Sequence, residues 1–186
     1  MIIKVCGLRN SEDALFAAAC GANCIGINFY PPSPRFVPEP EAEKLCKDVA
    51  GLASRVGVFV GWPKHYYPYL DVVQIHGLKR GERISDRFAQ QELWIACGPE
   101  DAPGFSDFMV VIDTSWGTGV TADWDQIATL KQSFVLSGGL DASNVGAAIR
   151  RLQPAGVDVC TGVESSPGEK DRGKIQAFLE AVRATA

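Results

Sequence analysis

Two residues whose side chains can exchange protons with a substrate each lie at the end of a short apolar run. Cys6 ends the run Ile2–Cys6, and Asp113 follows the run 108–112. A thiolate can act as a base and its pKa falls near positive charge, whereas a carboxyl group with a raised pKa can donate a proton. The alternatives are that Cys6 packs as a small buried hydrophobe and that Asp113 caps the following turn. The residue types alone leave both interpretations open.

Two glycine-containing turns follow the last two apolar runs of the chain. The first is Ser137-Gly138-Gly139, and the second is Thr161-Gly162. Glycine lets backbone N–H groups approach an anion closely, so these turns predict a phosphate site. Residues 164–168 are expected to form a short helix whose N-terminus adds further donors. The alternative is that the glycines only form tight turns.

Two further side chains have the chemistry of substrate contacts. Arg35 lies in the loop Ser33-Pro34-Arg35-Phe36, where its guanidinium fork can hold a carboxylate. His76 ends the segment Gln74-Ile75-His76-Gly77, where its ring either touches a substrate or hydrogen-bonds with its neighbours. The alternative for Arg35 is an ordinary arginine exposed to solvent.

The elements that must position these residues alternate along the chain. Strands that are apolar on both faces are typical of parallel strands covered by helices. Eight strand–helix units favour a (β/α)8 barrel over an open doubly wound sheet, and the active site of such a barrel lies at the carboxyl ends of its strands. The expected strands are 2–6, 24–28, 55–60, 72–75, 93–97, 108–112, 133–136 and 157–160, and the expected helices are 11–20, 39–49, 81–91, 123–131, 142–152 and 171–184.

Two units of this barrel are too short for a complete helix. Residues 61–71 and 98–107 each contain two prolines, so helices 3 and 5 are expected to be shortened or missing. An aromatic cluster of His65, Tyr66, Tyr67 and Tyr69 is expected to cover the flank that the first loss exposes. The chain has no linker or clear repeat, and a compact single (β/α)8 TIM-barrel domain is predicted over residues 1–186.

Composition limits the classes of partner. The 186 residues have a formal charge of −4, with 46% hydrophobic and 22% charged residues. This balance excludes a disordered chain and argues against nucleic acid or an anionic membrane as a partner. No stretch approaches the roughly 20 apolar residues of a membrane span, and no signal peptide is recognised. The six scattered cysteines are expected to be free thiols in the cytoplasm, and no metal site is predicted.

Motifs along nearly the whole chain resemble, in sequence and in order, those of the phosphoribosylanthranilate isomerase family of tryptophan biosynthesis. No single motif decides the resemblance, but together they are highly specific. The matching segments are Lys4-Val5-Cys6-Gly7-Leu8, Ile25-Gly26-Ile27-Asn28-Phe29-Tyr30, Ser33-Pro34-Arg35-Phe36-Val37, Arg55-Val56-Gly57-Val58-Phe59-Val60, Val72-Val73-Gln74-Ile75-His76-Gly77, Ile112-Asp113-Thr114, Leu136-Ser137-Gly138-Gly139-Leu140 and Gly162-Val163-Glu164-Ser165-Ser166-Pro167-Gly168.

The resemblance implies a cofactor-free Amadori rearrangement of N-(5'-phosphoribosyl)anthranilate to 1-(2-carboxyphenylamino)-1-deoxyribulose 5-phosphate. It implies that Asp113 is the general acid, which protonates the ribose ring oxygen, and that Cys6 is the general base, which removes the C2 proton. Arg35 would hold the anthranilate carboxylate. The other implied contacts are Gln74, His76 and Asp158 to the substrate and the backbones of Gly138, Gly139, Thr161 and Gly162 to its phosphate. The expected assembly is a monomer or a homodimer.

Some features depart from the family pattern. Helices 3 and 5 and the loop 114–121 are shorter, and Ala122 stands where phenylalanine usually precedes Asp123-Trp124. Two alternatives therefore stay in view. A histidine-pathway isomerase of the same chemistry would use two aspartates, which Cys6 argues against. A degenerate barrel could bind a phosphorylated ligand without turnover, which the presence of Cys6, Asp113 and Arg35 together disfavours.

Overall fold

Eight parallel strands close into a barrel in the computed structural model, which describes residues 1–79, 81–82, 88, 91–113 and 123–185. Each strand pairs with the next and the last pairs with the first, so the (β/α)8 prediction is confirmed. The barrel strands are β1 (Ile2–Cys6), β2 (Cys24–Asn28), β3 (Ser54–Val60), β4 (Val72–His76), β5 (Glu92–Cys97), β6 (Met109–Ile112), β7 (Phe134–Leu136) and β8 (Gly156–Val159).

Helices cover the outside of this barrel. The described helices are α1 (Ser11–Ala19), α2 (Glu39–Asp48), α3 (Trp124–Ile127), α4 (Val145–Leu152) and α5 (Arg172–Arg183). Helix α5 begins at Arg172 because the Asp171 side chain accepts a hydrogen bond from the backbone N–H of Lys174 at 3.0 Å. Buried apolar side chains fill the layer between strands and helices, and a second, smaller cluster fills the barrel itself. Within the described ranges, no helix has the length and apolar character needed to cross a bilayer.

The two short units have the predicted form. Residues 61–71, between β3 and β4, form turns, and the segment between β5 and β6 contains only the 3-10 helix Ala102–Phe105. The ring of Tyr67 covers the first flank, with centroid distances of 5.1 Å to Phe29 and 5.2 Å to Phe59. It also stacks on His65. Tyr66 is exposed and does not belong to this cover.

Some helices differ from the expected bounds. The helix expected from residue 142 begins only at Val145, because the Asp141 carboxylate accepts hydrogen bonds from the backbone N–H groups of Ser143 and Asn144 and holds them in a turn. The helix expected over 123–131 is shorter and ends at Ile127. The helix expected over 81–91 and the loop 114–121 lie largely or wholly outside the described residues, as does Ala122.

The short helix expected over residues 164–168 is wrong. The segment forms a hairpin of β9 (Glu164–Ser166) and β10 (Glu169–Lys170), which follows the 3-10 helix Thr161–Val163. Its turn places Pro167 before Gly168, and Gly168 has φ +88°, which suits a type II turn and ends any helix there. A Cβ on Gly168 would lie 2.6 Å from the Pro34 carbonyl oxygen, so the hairpin tip packs against the loop that carries Arg35.

Candidate active site

A cavity of about 690 Å³ opens at the carboxyl ends of the barrel strands. The barrel brings together here residues that are distant in sequence, because every parallel strand ends at the same rim. The cavity is lined by nine of the predicted residues, namely Cys6, Arg35, Gln74, His76, Asp113, Gly138, Gly139, Asp158 and Thr161.

Cys6 lies at the end of β1 with its sulfur over Gly26 of β2. A Cβ on Gly26 would come within 2.8 Å of Cys6 Sγ, so the glycine provides the room for the thiol. A hydrogen bond from Cys160 is the main cause that lowers the pKa of Cys6 to about 7; burial opposes this shift, and the charge of Lys4 adds to it. Cys6 is therefore a largely buried thiol that ionises near neutral pH, rather than an inert apolar side chain.

An ion pair lies inside the barrel, one layer below Cys6. Lys4 Nζ donates to Asp158 Oδ2 at 2.9 Å, and both side chains are buried. Burial opposes the charge on Lys4, but Asp158 overcomes this and raises the Lys4 pKa. Asp158 Oδ2 also accepts a hydrogen bond from Ser137 Oγ at 3.3 Å. Sequence analysis missed Lys4, although a lysine in the middle of an otherwise apolar strand was a usable signal.

A second buried ionic group holds Arg35 beside the cavity. Arg35 Nε and Nη2 each donate to the Glu164 carboxylate at 2.8 Å, and Lys170 Nζ donates to Glu164 Oε1 at 2.9 Å. Burial opposes ionisation of Glu164, but the hydrogen bonds from Arg35 and Lys170 keep its pKa below the ordinary value. Gly7 allows the approach, since a Cβ there would lie 2.7 Å from Arg35 Cδ. Arg35 is therefore not the solvent-exposed arginine of the alternative interpretation. Sequence analysis did not assign Glu164, which lines the cavity, or Lys170, which pairs with Glu164.

Gln74 and His76 form a pair on β4. Gln74 Nε2 lies 3.0 Å from His76 Nε2, and because an amide nitrogen only donates, the ring nitrogen accepts. Burial lowers the pKa of His76, while the negative charge of Asp113 acts in the opposite direction. Gln74 Oε1 and Asp158 Oδ1 are buried polar atoms without a hydrogen-bond partner among the described residues. Both residues line the cavity, so these oxygens are suited to accept hydrogen bonds from a bound hydroxylated molecule.

Asp113 follows β6 directly, and its backbone N–H donates to the Cys97 carbonyl oxygen at 3.1 Å. This bond extends the parallel ladder by one residue and fixes Asp113 at the rim. The side chain is 9% exposed and lines the same cavity as Cys6. Strands β7 and β8 separate the two side chains around the barrel, so they reach the cavity from different sides.

The glycine turns differ in what they do. Gly138 and Gly139 line the cavity with φ of +91° and +63°, so their backbone faces the space in a conformation that favours glycine. Gly162 is not among the described residues that line the cavity. A Cβ on Gly162 would lie 2.0 Å from the Leu140 carbonyl oxygen, so this glycine is required where the turn after β8 packs against the turn after β7.

The fold and this cavity define a class of protein, the (β/α)8-barrel enzymes with a cavity at the carboxyl ends of their strands. The model of the N-(5'-phosphoribosyl)anthranilate isomerase family matches residues 3–181, and the chain belongs to this family. The alignment of this chain with the N-(5'-phosphoribosyl)anthranilate isomerase of Thermotoga petrophila spans 198 positions at 36% identity. It covers 96% of this chain and 96% of the other.

Solved structures agree with this assignment. The phosphoribosyl anthranilate isomerase of Thermotoga maritima superimposes with a TM-score of 0.89 at 32% identity, covering 99% of this chain and 100% of the other. A phosphoribosyl anthranilate isomerase in complex with reduced 1-(o-carboxyphenylamino)-1-deoxyribulose 5-phosphate has a TM-score of 0.85 at 32% identity, with the same coverage. The barrel is therefore similar in fold to solved members of the family.

Proposed function

We propose that this chain isomerises N-(5'-phosphoribosyl)anthranilate by means of Asp113 as general acid and Cys6 as general base. The isomerase activity, a step of tryptophan biosynthesis, is that of the family to which the chain belongs. One observation supports the two residue assignments above all others. Both side chains line the same cavity, and the pKa of the Cys6 thiol is lowered to about 7. A group with this pKa is an effective base at neutral pH.

The first step opens the ribose ring. Asp113 gives its proton to the ring oxygen while the C1–O bond breaks. At the same time the lone pair of the anthranilate nitrogen forms the C1=N bond, which yields a protonated Schiff base. A carboxyl group is suited to this step because the departing oxygen needs a proton at the moment it gains charge.

The second step moves a hydrogen away from C2. The Cys6 thiolate takes the C2 proton, and the electrons of the C2–H bond form a C1=C2 bond as the C=N electrons return to nitrogen. The resulting enolamine tautomerises to the ketone when C1 is protonated and the C2 hydroxyl loses its proton. Lys4 supports this step because its positive charge favours the thiolate form of Cys6.

The remaining residues hold the substrate. Glu164 takes the Nε–Nη2 edge of Arg35, so the anthranilate carboxylate would meet the Nη1–Nη2 edge of the same fork. The backbone of Gly138, Gly139 and Thr161 would hold the phosphate, and Gly162 would contribute by keeping the two turns together. Gln74 Oε1 and Asp158 Oδ1 would accept hydrogen bonds from ribose hydroxyls.

The partner is thus a phosphorylated small molecule. A monomeric or homodimeric assembly, the absence of nucleic-acid binding and a cytoplasmic location stay predictions, the last supported by a biosynthetic family and by six free thiols.

The direct test is turnover of substrate that is generated in place from anthranilate and phosphoribosyl pyrophosphate. The protein would be purified from a host without its own isomerase, and loss of the substrate's fluorescence would be followed. The expected result is turnover by the wild-type chain and none by a Cys6→Ala/Asp113→Ala double variant. No turnover by a wild-type chain that binds reduced 1-(o-carboxyphenylamino)-1-deoxyribulose 5-phosphate tightly would instead support the non-catalytic barrel.

A further inference from the structure

The carboxylate of Glu164 fixes the plane of the Arg35 guanidinium. Its two oxygens accept hydrogen bonds from Arg35 Nε and Nη2, each at 2.8 Å, and two such bonds define both the position and the plane of the fork. The Arg35 and Glu164 side chains are 10% and 4% exposed, so water hardly competes for either. An arginine stem has many rotamers, and this contact selects one orientation of the guanidinium among them.

Glu164 is itself held at its side chain and at its backbone. Lys170 Nζ donates to Glu164 Oε1 at 2.9 Å, and Lys174 Nζ of α5 donates to the Glu164 backbone carbonyl oxygen at 2.7 Å. The tip of the same hairpin packs against the loop that carries Arg35. These contacts fix the carboxylate independently of Arg35, so the arginine side chain takes the orientation that the hairpin sets.

This arrangement leaves one edge of the fork and one positive charge for a ligand. Glu164 occupies the Nε–Nη2 edge of Arg35, so the Nη1–Nη2 edge remains for a second carboxylate. The two cations Arg35 and Lys170 share the single anion Glu164, so one positive charge stays uncompensated within the group. Arg35 and Glu164 both line the cavity. A planar carboxylate on a ligand therefore matches the free edge in shape and in charge.

We infer that Glu164 is a positioning residue for Arg35: it turns the Nη1–Nη2 edge of the guanidinium into the cavity and so makes the site selective for a substrate with a carboxylate on its aromatic ring. The inference rests on the proposed role of Arg35 as the carboxylate contact. Glu164 touches no reacting atom in this account and acts only through Arg35. Charge alone gives the opposite expectation, because the Glu164 anion would repel a substrate carboxylate.

The test compares two ligands that differ only in this carboxylate. Reduced 1-(o-carboxyphenylamino)-1-deoxyribulose 5-phosphate and its carboxylate-free analogue, prepared from aniline, would be titrated calorimetrically into the wild type, Glu164→Gln and Glu164→Asp. Glutamine keeps the shape but turns an amide donor towards a guanidinium donor, and aspartate keeps the charge but is one methylene too short for both bonds. Glu169→Gln is the matched control, because Glu169 lies on the same hairpin and pairs with an arginine, Arg9, but is exposed.

The wild type should prefer the carboxylated ligand by about 10- to 100-fold in Kd, since hydrogen bonds between charged groups contribute this much. Both Glu164 variants should lose about tenfold of this preference, while the Kd of the carboxylate-free ligand stays nearly constant. Glu169→Gln should keep the full preference. In the isomerase reaction, KM of the two Glu164 variants should rise by a similar factor, with kcat within a few-fold of the wild type.

A double-mutant cycle shows whether Glu164 acts through Arg35. Arg35→Met should remove the preference by itself, and adding Glu164→Gln should change it no further. A further loss in the double variant would make Glu164 a direct ligand contact and overturn the inference. Circular dichroism and the Kd of the carboxylate-free ligand report that the fold and the cavity are intact. If Glu164→Gln unfolds, Glu164→Asp retains the buried charge and takes its place.

Two other results would also overturn the inference. One is an unchanged preference in both Glu164 variants, and the other is a stronger preference in Glu164→Gln, which would show that only charge matters. Binding does not need turnover, so failure of the proposed function can be distinguished. A carboxylate preference that depends on Glu164, in a chain without isomerase activity, would uphold the positioning role and refute the catalytic one.

Discussion

Lys4 and Asp158 form an ion pair 2.9 Å long in the interior of the barrel, directly below the sulfur of Cys6. The lysine is fully buried and the aspartate is 4% exposed, so neither charge has water to stabilise it. The pair therefore has two effects. Asp158 is the main stabilisation of the lysine charge, and the lysine charge favours the thiolate at the end of the same strand.

Removing one member of this pair should destabilise the fold. Lys4→Met leaves the Asp158 carboxylate buried without its cation, and the expected loss in the free energy of unfolding is about 3–5 kcal/mol. Urea denaturation followed by circular dichroism would measure it. Lys44→Met is the matched control, because Lys44 pairs with Asp48 on the exposed face of α2. An equally small change in the free energy of unfolding of both variants would show that the buried pair does not contribute this stability.

Asp113→Asn should abolish proton donation while it keeps the shape of the side chain. We expect kcat to fall by about 10²- to 10⁴-fold, since this is the usual contribution of a general acid. The dissociation constant of the reduced product analogue should change little. Asp107→Asn, at an exposed turn before the same strand, is the control and should behave as the wild type. Near-normal turnover in Asp113→Asn would remove this residue from the acid role.

Arg35→Lys should separate binding from chemistry. The lysine cannot present a planar fork, and the expected result is a KM that rises by about 10- to 100-fold with kcat within a few-fold of the wild type. The control is Arg9→Lys, since Arg9 also pairs with a carboxylate of the hairpin, Glu169, but is exposed. Steady-state kinetics would decide the matter, and an unchanged KM would exclude Arg35 from the carboxylate site.

Gly139→Ala should weaken phosphate binding. The substitution strains a backbone with φ +63° and moves the turn that lines the cavity. Gly51→Ala introduces a comparable strain at φ +77° with no atom near its Cβ, so it isolates the effect of the strain. Inorganic phosphate should compete with substrate less effectively in Gly139→Ala and equally well in Gly51→Ala. Equal inhibition constants in both variants would place the phosphate elsewhere.

The barrel itself could be predicted from the sequence because each strand is a local apolar run with a recognisable end. Strand β2 begins and ends at the predicted residues, and β6 begins one residue later than expected. The positions of Cys6, Asp113 and Arg35 at the rim follow from the same logic. Parallel strands in a barrel bring all carboxyl ends together, whatever their distance in sequence.

Pairings between the first and last strands could not be predicted in this way. Lys4 and Asp158 are 154 positions apart, and no local pattern gives the register between β1 and β8. The hairpin that carries Glu164 differs from the predicted helix because the polar stretch Glu164–Ser166 is compatible with either form, and the Pro167-Gly168 turn that follows it reverses the chain.

Turnover by Cys6→Ser, measured beside binding of the reduced product analogue, tests the central claim most directly. Cys20→Ser is the matched control, because Cys20 lies at the end of α1 and is not among the described residues that line the cavity. We predict that Cys6→Ser lowers kcat by about 10²- to 10⁴-fold, with analogue affinity retained, and that Cys20→Ser matches the wild type. Near-normal kcat in Cys6→Ser would contradict the assignment of Cys6 as the base that removes the C2 proton.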